Sequence, residues 1–433
     1  FYHIFPEEHV EFQGLNVEPP FAAFAGQGLA VWSAATLAHL RSARSIREPN
    51  PMPHRYQTAP MPASREPASL LSVDRAVAEL RRGRMVAVRA AGGETALVLA
   101  SEAATPEALD KLGELSGGDF VLAITARRAE VLGLVKSEAQ VVALTPGGEI
   151  SAETLRDIAD PLTELPTTDS SQFEIAEAAR YGCASAGVGL AKVARLLPAA
   201  LCAAILDPEA DDLDAWAARH DLFVVDAGDV FQYEYTTART LKMVSEARVP
   251  LDGAENTRII AFRPVDGGLE HLAVLIGEPG ADAPVLTRLH SECFTGDLLG
   301  SLRCDCGEQL RAAIEAIGKE GCGALLYLAQ EGRGIGLVNK LRAYELQDQG
   351  FDTIEANEQL GFDADERVYL PAAQMLRTLG IESVRLLTNN PDKVEALARC
   401  GVEVAERVSH RFPSNRHNET YLRTKQIRSG HLF

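Results

Sequence analysis

The chain has 433 residues, of which 46% are hydrophobic and 24% charged, and its formal net charge is −19. That length predicts two or three domains of ordinary globular composition. The acidic balance argues against a broad nucleic-acid or anionic-membrane surface, and no apolar run approaches the roughly 20 residues of a membrane-spanning helix.

Residues 1–68 carry Pro49-Asn-Pro-Met-Pro53 and Pro60-Met-Pro62, which disfavour helix and strand. They read as a disordered leader, with Met52 or Met61 as candidate natural starts and no cleavage signal. A helical pattern opens near Leu71, with Val73, Val77 and Leu80 on one face and Ser72 as N-cap. Val86–Val88 and Ala96–Leu99 read as buried strands. Thr105-Pro106 reads as a helix start, and Phe120–Ile124 as a strand. Next come a helix around Phe173–Arg180, a Gly/Ala-rich helix around Gly187–Leu197, and the strands Ala200–Leu206 and Leu222–Val225.

From about residue 245, Arg258–Phe262 and His271–Ile276 read as a hairpin-like pair of strands. A cysteine-bearing loop follows, then an amphipathic helix Glu308–Lys319 ended by Gly321. The strand Ala324–Leu328 runs into the turn Gln330-Glu-Gly-Arg-Gly-Ile-Gly336. The helix Leu337–Gln349, closed by Gly350, comes next. Helix Leu370–Leu379, strand Ser383–Leu387 and helix Asp392–Cys400 complete the pattern. The expected fold class is α/β (α+β), with two mixed-sheet domains in tandem at 69–240 and 245–433 after the leader. No internal repeat is evident.

The chemistry concentrates in the second half. The chain has seven cysteines. They are too few and too unevenly spaced for a disulfide framework, which predicts a reducing, cytoplasmic setting. Cys293, Cys304 and Cys306 fall close together in a loop bearing Gly296 and Gly300. Three thiols are one short of a closed tetrahedral zinc site, and a catalytic zinc keeps one position open. A structural zinc completed by His290 or Cys322, or three incidental thiols, are the alternatives. Cys183, Cys202, Cys322 and Cys400 sit in apolar contexts and read as inert.

Other segments are weaker signals. The turn Gln330–Gly336 joins a strand to a helix N-terminus, a geometry that favours an anion. It has neither the Lys-Ser/Thr of a P-loop nor the dinucleotide spacing. Gly361-Phe-Asp-Ala-Asp-Glu-Arg367 is either an acidic first helical turn or an Asp beside a working Arg. Asn390-Pro391 reads as a helix cap, whereas Thr388 and Lys393 resemble ligand contacts at a sheet edge. Arg407, Arg411, Arg416, Arg423, Lys425 and Arg428 form a solvated face or part of a phosphate pocket or subunit interface.

Taken together, these segments resemble GTP cyclohydrolase II over about residues 245 to 430. The resemblance is carried by Arg288-Leu-His-Ser-Glu-Cys293, Ser301-Leu-Arg-Cys-Asp-Cys-Gly307, Gln330–Leu337, Tyr344-Glu-Leu-Gln-Asp-Gln-Gly350, Gly361–Arg367 and Leu387–Lys393. It implies that Cys293, Cys304 and Cys306 hold one zinc per chain, whose water would attack C8 of guanine and lead to loss of formate. It implies that Arg367 acts at the α-phosphate as nucleophile or charge stabiliser, with Asp365 as proton acceptor, and that Tyr344 positions water or base. Arg288, Leu289, His290, Ser291, Glu292, Gln309, Glu331, Gly332, Arg333, Thr353, Thr388 and Lys393 match nucleotide-contacting positions. Magnesium would accompany the triphosphate, and a homodimer that binds neither nucleic acid nor membrane is expected. A silent nucleotide-binding paralogue, or an enzyme stopping at a formylated intermediate, are the rival readings.

Residues 69–240 resemble a decayed 3,4-dihydroxy-2-butanone 4-phosphate synthase. Ser72–Arg84 and Ala104-Thr-Pro-Glu-Ala-Leu109 match segments flanking that enzyme's acidic metal-binding loop. The loop itself is replaced by Arg89-Ala-Ala-Gly-Gly-Glu-Thr-Ala-Leu97, and Tyr181-Gly-Cys-Ala-Ser-Ala186 lacks the later His and Glu. A hard divalent ion needs oxygen ligands, so loss of synthase activity is expected, with a structural role remaining; a bifunctional enzyme is the alternative.

Overall fold

The computed structural model describes residues 68–163, 170–205, 212–280 and 283–410. The expected leader and the tail arginines beyond Arg407 lie outside these residues.

The first half opens with α1 (Ala68–Arg81), β1 (Val86–Arg89), β2 (Thr95–Ala100), α2 (Pro106–Ser116), β3 (Val121–Thr125) and α3 (Ala126–Val131). It continues through β4 (Val141–Pro146), α4 (Ala152–Ala159), β5 (Phe173–Glu177), α5 (Cys183–Val193), β6 (Ala199–Ala204), α6 (Leu213–Arg219), β7 (Val224–Asp226) and α7 (Ala227–Arg239). The strands form one sheet in the order β5-β4-β3-β6-β2-β1-β7. Its pairings are antiparallel except for β1 with β7.

Local chemistry explains most boundaries. The Thr105 side chain accepts from the Ala108 N–H and Pro106 takes the first helical turn, as the sequence predicts. Ser72 is not an N-cap. Helix α1 begins a turn earlier, and the Ser72 hydroxyl donates back to the Ser69 carbonyl inside it. The expected helix at Phe173–Arg180 is instead strand β5. Phe173 and Ile175 alternate with Glu174, and that period of two pairs with β4 from Pro146 to Val142. Helix α5 lies tight on the sheet, because a Cβ on Gly187 would stand 3.1 Å from both Cys202 Sγ and Val98 Cγ1.

The second half runs β8 (Lys242–Arg248), β9 (Thr257–Arg263), β10 (His271–Ile276), β11 (Val285–Ser291), α8 (Cys306–Glu320), β12 (Gly323–Leu328) and α9 (Leu337–Asp348). Then come α10 (Thr353–Gln359), α11 (Leu370–Thr378), β13 (Ser383–Leu387), α12 (Pro391–Arg399) and β14 (Glu403–Val408). Its sheet has the order β14-β13-β11-β12-β10-β9-β8. β9 and β10 form the expected antiparallel pair. β14, β13, β11 and β12 run parallel, so β11, β12 and β13 end at one edge. Such an edge is where α/β sheets place ligands.

The halves share core. Ile335, Ala343, Leu346, Leu360 and Phe362 from the second pack in one cluster with Leu122, Ile124, Leu155 and Leu197 from the first. Among the described residues, no helix is long and apolar enough to cross a membrane.

Candidate active site

Strand β11 alternates sides. Arg288 and His290 point into a pocket at the sheet edge, whereas the Leu289 side chain turns into the core. Leu289 therefore reaches the site only through its carbonyl, which accepts from Lys393 Nζ at 3.1 Å.

Past Ser291 the chain makes a wide π-turn at Phe294–Leu298 before α8 begins at Cys306. This brings the Sγ atoms of Cys293, Cys304 and Cys306 within 4.8 Å of one another. A Cβ on Gly296 would stand 2.8 Å from Cys304 Sγ and 3.0 Å from Cys293 Sγ, so only glycine fits behind the thiols. Asp297 pins the turn. Its carboxylate accepts the Cys293 N–H at 3.0 Å and the Tyr327 hydroxyl at 2.9 Å, and lies 3.0 Å from His290 Nε2.

His290 is thus committed to Asp297 through Nε2, and it is not in the thiol cluster. Burial pushes its imidazole below the ordinary value, against the hydrogen bond that it makes to Asp297. Cys322 lies beyond the far end of α8, roughly 20 Å of helix away. Neither residue completes a closed site.

The donor set fits zinc. Zinc–sulfur bonds of about 2.3 Å in a tetrahedron imply sulfur–sulfur distances of about 3.8 Å, and Cys293 Sγ lies 3.7 Å from Cys304 Sγ. The Cys293 thiol is held far below its ordinary value by hydrogen bonds from Cys304 and Cys306, and then, against burial, by Lys340. Burial pushes the distant Cys183 thiol up to about 12 and raises Cys202 and Cys400, as inert thiols require.

Lys340 is the main residue that the sequence reading missed. From the first turns of α9 its Nζ donates to Cys293 Sγ at 3.1 Å, Thr295 Oγ1 at 2.9 Å and Glu331 Oε1 at 2.9 Å. The available signal was its spacing from Tyr344, because residues four apart share a helix face. Burial pulls the ammonium pKa down, but Glu331 and Cys293 raise it overall. Tyr344 Oη lies 3.4 Å from Thr295 Oγ1, and burial raises its phenol.

The Gly-rich turn forms one wall. Gly332 and Arg333 are both left-handed, at φ 64° and 60°, which strains the non-glycine Arg333 by about 1–2 kcal/mol. The Glu331 carboxylate accepts the Phe294 and Gly332 N–H groups at 2.6 and 2.9 Å, joining this turn to the thiol loop. Opposite, Arg367 donates from Nε to Asp365 Oδ1 at 2.8 Å and from Nη2 to Oδ2. Although burial raises Asp365, the Arg367 charge and hydrogen bonds leave its carboxyl below the ordinary value. Arg367 lines the pocket, while Asp365 sits behind it as its partner.

The floor comes from the strand ends. Arg288 donates to the Leu387 carbonyl at 2.8 Å and to Gln309 Oε1. Burial lowers its guanidinium to about 10, so it stays cationic near neutrality. Asn390 caps α12 as expected, yet it also lines the pocket beside Thr388, Asn389 and Lys393. Arg407 donates to the Thr388 carbonyl at 3.2 Å. Ser291, Glu292, Gln309, Glu331, Gly332, Arg333 and Thr353 complete the predicted set in this one pocket. Burial raises the Glu292 carboxyl, and neighbouring Glu331 adds to the shift. Arg303, Gln347 and Asn389, which lie in matched segments but were not singled out, also line the pocket, as does Asn357, which lies outside them. Arg288, Arg303, Arg333, Lys340, Arg367 and Lys393 face two carboxylates, Glu292 and Glu331. A basic pocket in a chain of net charge −19 selects for an anion.

Fold and site together define a mixed α/β protein with a three-thiol centre in a cation-lined pocket. A family model described as GTP cyclohydrolase II matches residues 242–409. The GTP cyclohydrolase-2 of Azospirillum brasilense is 56% identical over 367 residues, covering 84% of this chain and 95% of the relative. The riboflavin biosynthesis protein RibBA of Aquifex aeolicus (strain VF5) is 36% identical over 412 residues, covering 86% and 100%. RibBA of Salinispora tropica is 37% identical over 395 residues, covering 84% and 98%. The chain belongs to the GTP cyclohydrolase II family.

Proposed function

We propose that this protein hydrolyses GTP, opening the imidazole ring and releasing formate and pyrophosphate to leave a diaminopyrimidine product, the first step of riboflavin biosynthesis. The observation that carries this reading is the convergence of three thiols on a cation-lined pocket at the ends of parallel strands.

Cys293, Cys304 and Cys306 would hold one zinc, which would supply the Lewis acidity that activates water near neutral pH. Lys340 offsets the negative charge of the thiolates and keeps Glu331 on the Phe294 amide. Tyr344, anchored at Thr295, orients water or the base at the thiol end. GTP enters as its magnesium complex. Arg288, Arg333, Arg367 and Lys393 take its phosphates, while His290, Ser291, Glu292, Gln309, Glu331, Gly332, Thr353 and Thr388 supply polar contacts around the nucleotide. The bidentate pairing with Asp365 keeps Arg367 aimed. That pairing favours charge stabilisation at the departing pyrophosphate over attack by the guanidine itself. Asp365 remains positioned as a proton acceptor, with its basicity reduced by the same pairing.

The first half, 69–240, is a synthase-like domain without synthase activity. Within the segment that replaces the acidic loop, Glu94 accepts the Cys183 N–H at the start of α5, at 3.1 Å. Its carboxylate therefore caps a helix. Activity on ribulose 5-phosphate would favour the bifunctional reading instead. We place the reaction in the cytoplasm, supported by seven unbridged cysteines. We read the protein as a homodimer, supported by the exposed Leu298, Leu299, Leu302, Val338 and Leu341.

The test is incubation of the zinc-loaded protein with GTP and magnesium. Formate, pyrophosphate and the diaminopyrimidine are expected; zinc-loaded protein that releases neither formate nor pyrophosphate would refute the reading.

A further inference from the structure

Two cations at the end of α5 reach from the first half into the walls of the pocket. Lys192 Nζ donates to Glu366 Oε1 at 2.8 Å, and the Glu366 side chain is 3% exposed. The same oxygen accepts the Asp363 N–H at 2.9 Å. The Glu366 N–H donates to the Arg333 carbonyl at 3.0 Å. Glu366 thus ties segment 361–367 to the Gly-rich turn through its backbone N–H, while its buried carboxylate closes the segment on itself at Asp363 and Lys192 neutralises that carboxylate. Lys192 Nζ also stands 5.9 Å over the Phe362 ring.

Arg195 acts on the other side of the turn. It holds a left-handed φ of 60°, which an arginine adopts only under constraint. Its Nη2 donates to the Ala329 carbonyl at 2.8 Å, and its own carbonyl accepts from Asn339 Nδ2 at 3.0 Å. A Cβ on Gly336 would stand 2.9 Å from Arg195 Cδ. Gly336 is therefore the residue that lets the arginine lie against the turn.

We infer that Lys192 and Arg195 are positioning residues for the GTP reaction, through which the first half holds Arg333 and Arg367 in working geometry. This rests on the functional reading above. Neither cation lines the pocket. They act through Glu366 and through the ends of the Gly-rich turn, so the retained role of a synthase-like domain is to preorganise its neighbour's anion site. Arginines aimed before substrate arrives stabilise developing charge without reorganisation during the step.

The test compares the unsubstituted protein with Lys192→Met, Lys192→Arg and the double variant Lys192→Met/Glu366→Gln. The double variant leaves no buried carboxylate without its ammonium, and it carries the test should Lys192→Met fail to fold. Two readouts are taken: hydrogen exchange over 361–369, and steady-state GTP turnover at full zinc content. In Lys192→Met exchange accelerates and kcat falls roughly 10- to 100-fold, the scale of small misplacements at a reacting centre. KM changes less, and Lys192→Arg restores both readouts. The double variant turns over slowly although it is folded. Unchanged exchange overturns the inference whatever the activity. Faster exchange with unchanged kcat in an active enzyme overturns it too, since Lys192 would then be a stability contact only. Absence of turnover by the unsubstituted protein would contradict the functional reading instead, and exchange alone would then decide whether Lys192 holds the loop.

Discussion

Lys340 carries the clearest residue-scale consequence. Its ammonium sits between Cys293 and Glu331, with side-chain exposures of 9% for Lys340 and 4% for Glu331. Removing one partner of a buried pair leaves the other charge uncompensated and costs about 3–5 kcal/mol. Lys340→Met should therefore lower unfolding free energy by about that amount, read from the urea midpoint. A midpoint equal to that of the unsubstituted protein would mean that the ammonium is not the counter-charge of this cluster. The residues that the sequence made legible were those whose types announce chemistry, namely the thiols and the Arg367–Asp365 pair. Lys340 and Asp297 were not, because each looks like an ordinary polar residue until the fold brings it against Cys293, Lys340 at the thiol and Asp297 at the backbone N–H.

Elements were legible where a single periodicity ruled. Helix α8 and strands β9, β10, β12 and β13 fall near their predicted places, whereas β11 was not foreseen before the cysteine-bearing loop. Strand β8 was missed because all seven of its residues are exposed and its pairing with β9 is broken by a bulge. At Phe173 the helix expectation failed because a short apolar run satisfies either period, and the partner strand decides. Strand β10 carries a pH device that sequence could not show. His271 Nδ1 accepts the Ala329 N–H at 3.0 Å, which requires a neutral imidazole. Burial lowers its pKa from 6.5 to about 4. The folded pKa is the lower one, so the unfolded state binds more protons between those values, and stability falls as pH drops through that window. The expected loss from this group is roughly 2–3 kcal/mol between about pH 7 and about pH 4.5. His271→Asn should lose correspondingly less across the same interval in paired denaturation curves. Parallel losses would show that His271 titrates alike folded and unfolded.

At the scale of the whole molecule, the sequence foretold two α/β halves but not their common core. Phe362 comes from the segment that leads to the pocket residue Arg367, yet it is buried in the same cluster as Trp216 of α6. No sequence pattern links residues so far apart, since each looks like the core of its own half. Phe362→Ala should cost about 3–5 kcal/mol. Trp216 fluorescence and far-ultraviolet circular dichroism should then fall together at a lower temperature. A first-half fluorescence transition unmoved by the substitution would show that the halves unfold separately. A shared core also explains what the first half contributes, since removing it would strip the Gly-rich turn and segment 361–367 of their support. The most direct measurement of the central claim is formate release from GTP by the unsubstituted protein and by Cys304→Ser, with bound zinc determined for each. The account predicts formate and about one zinc per chain in the first, as a three-thiol site with an open position requires, and loss of both in the second. Undiminished formate release by Cys304→Ser would contradict it.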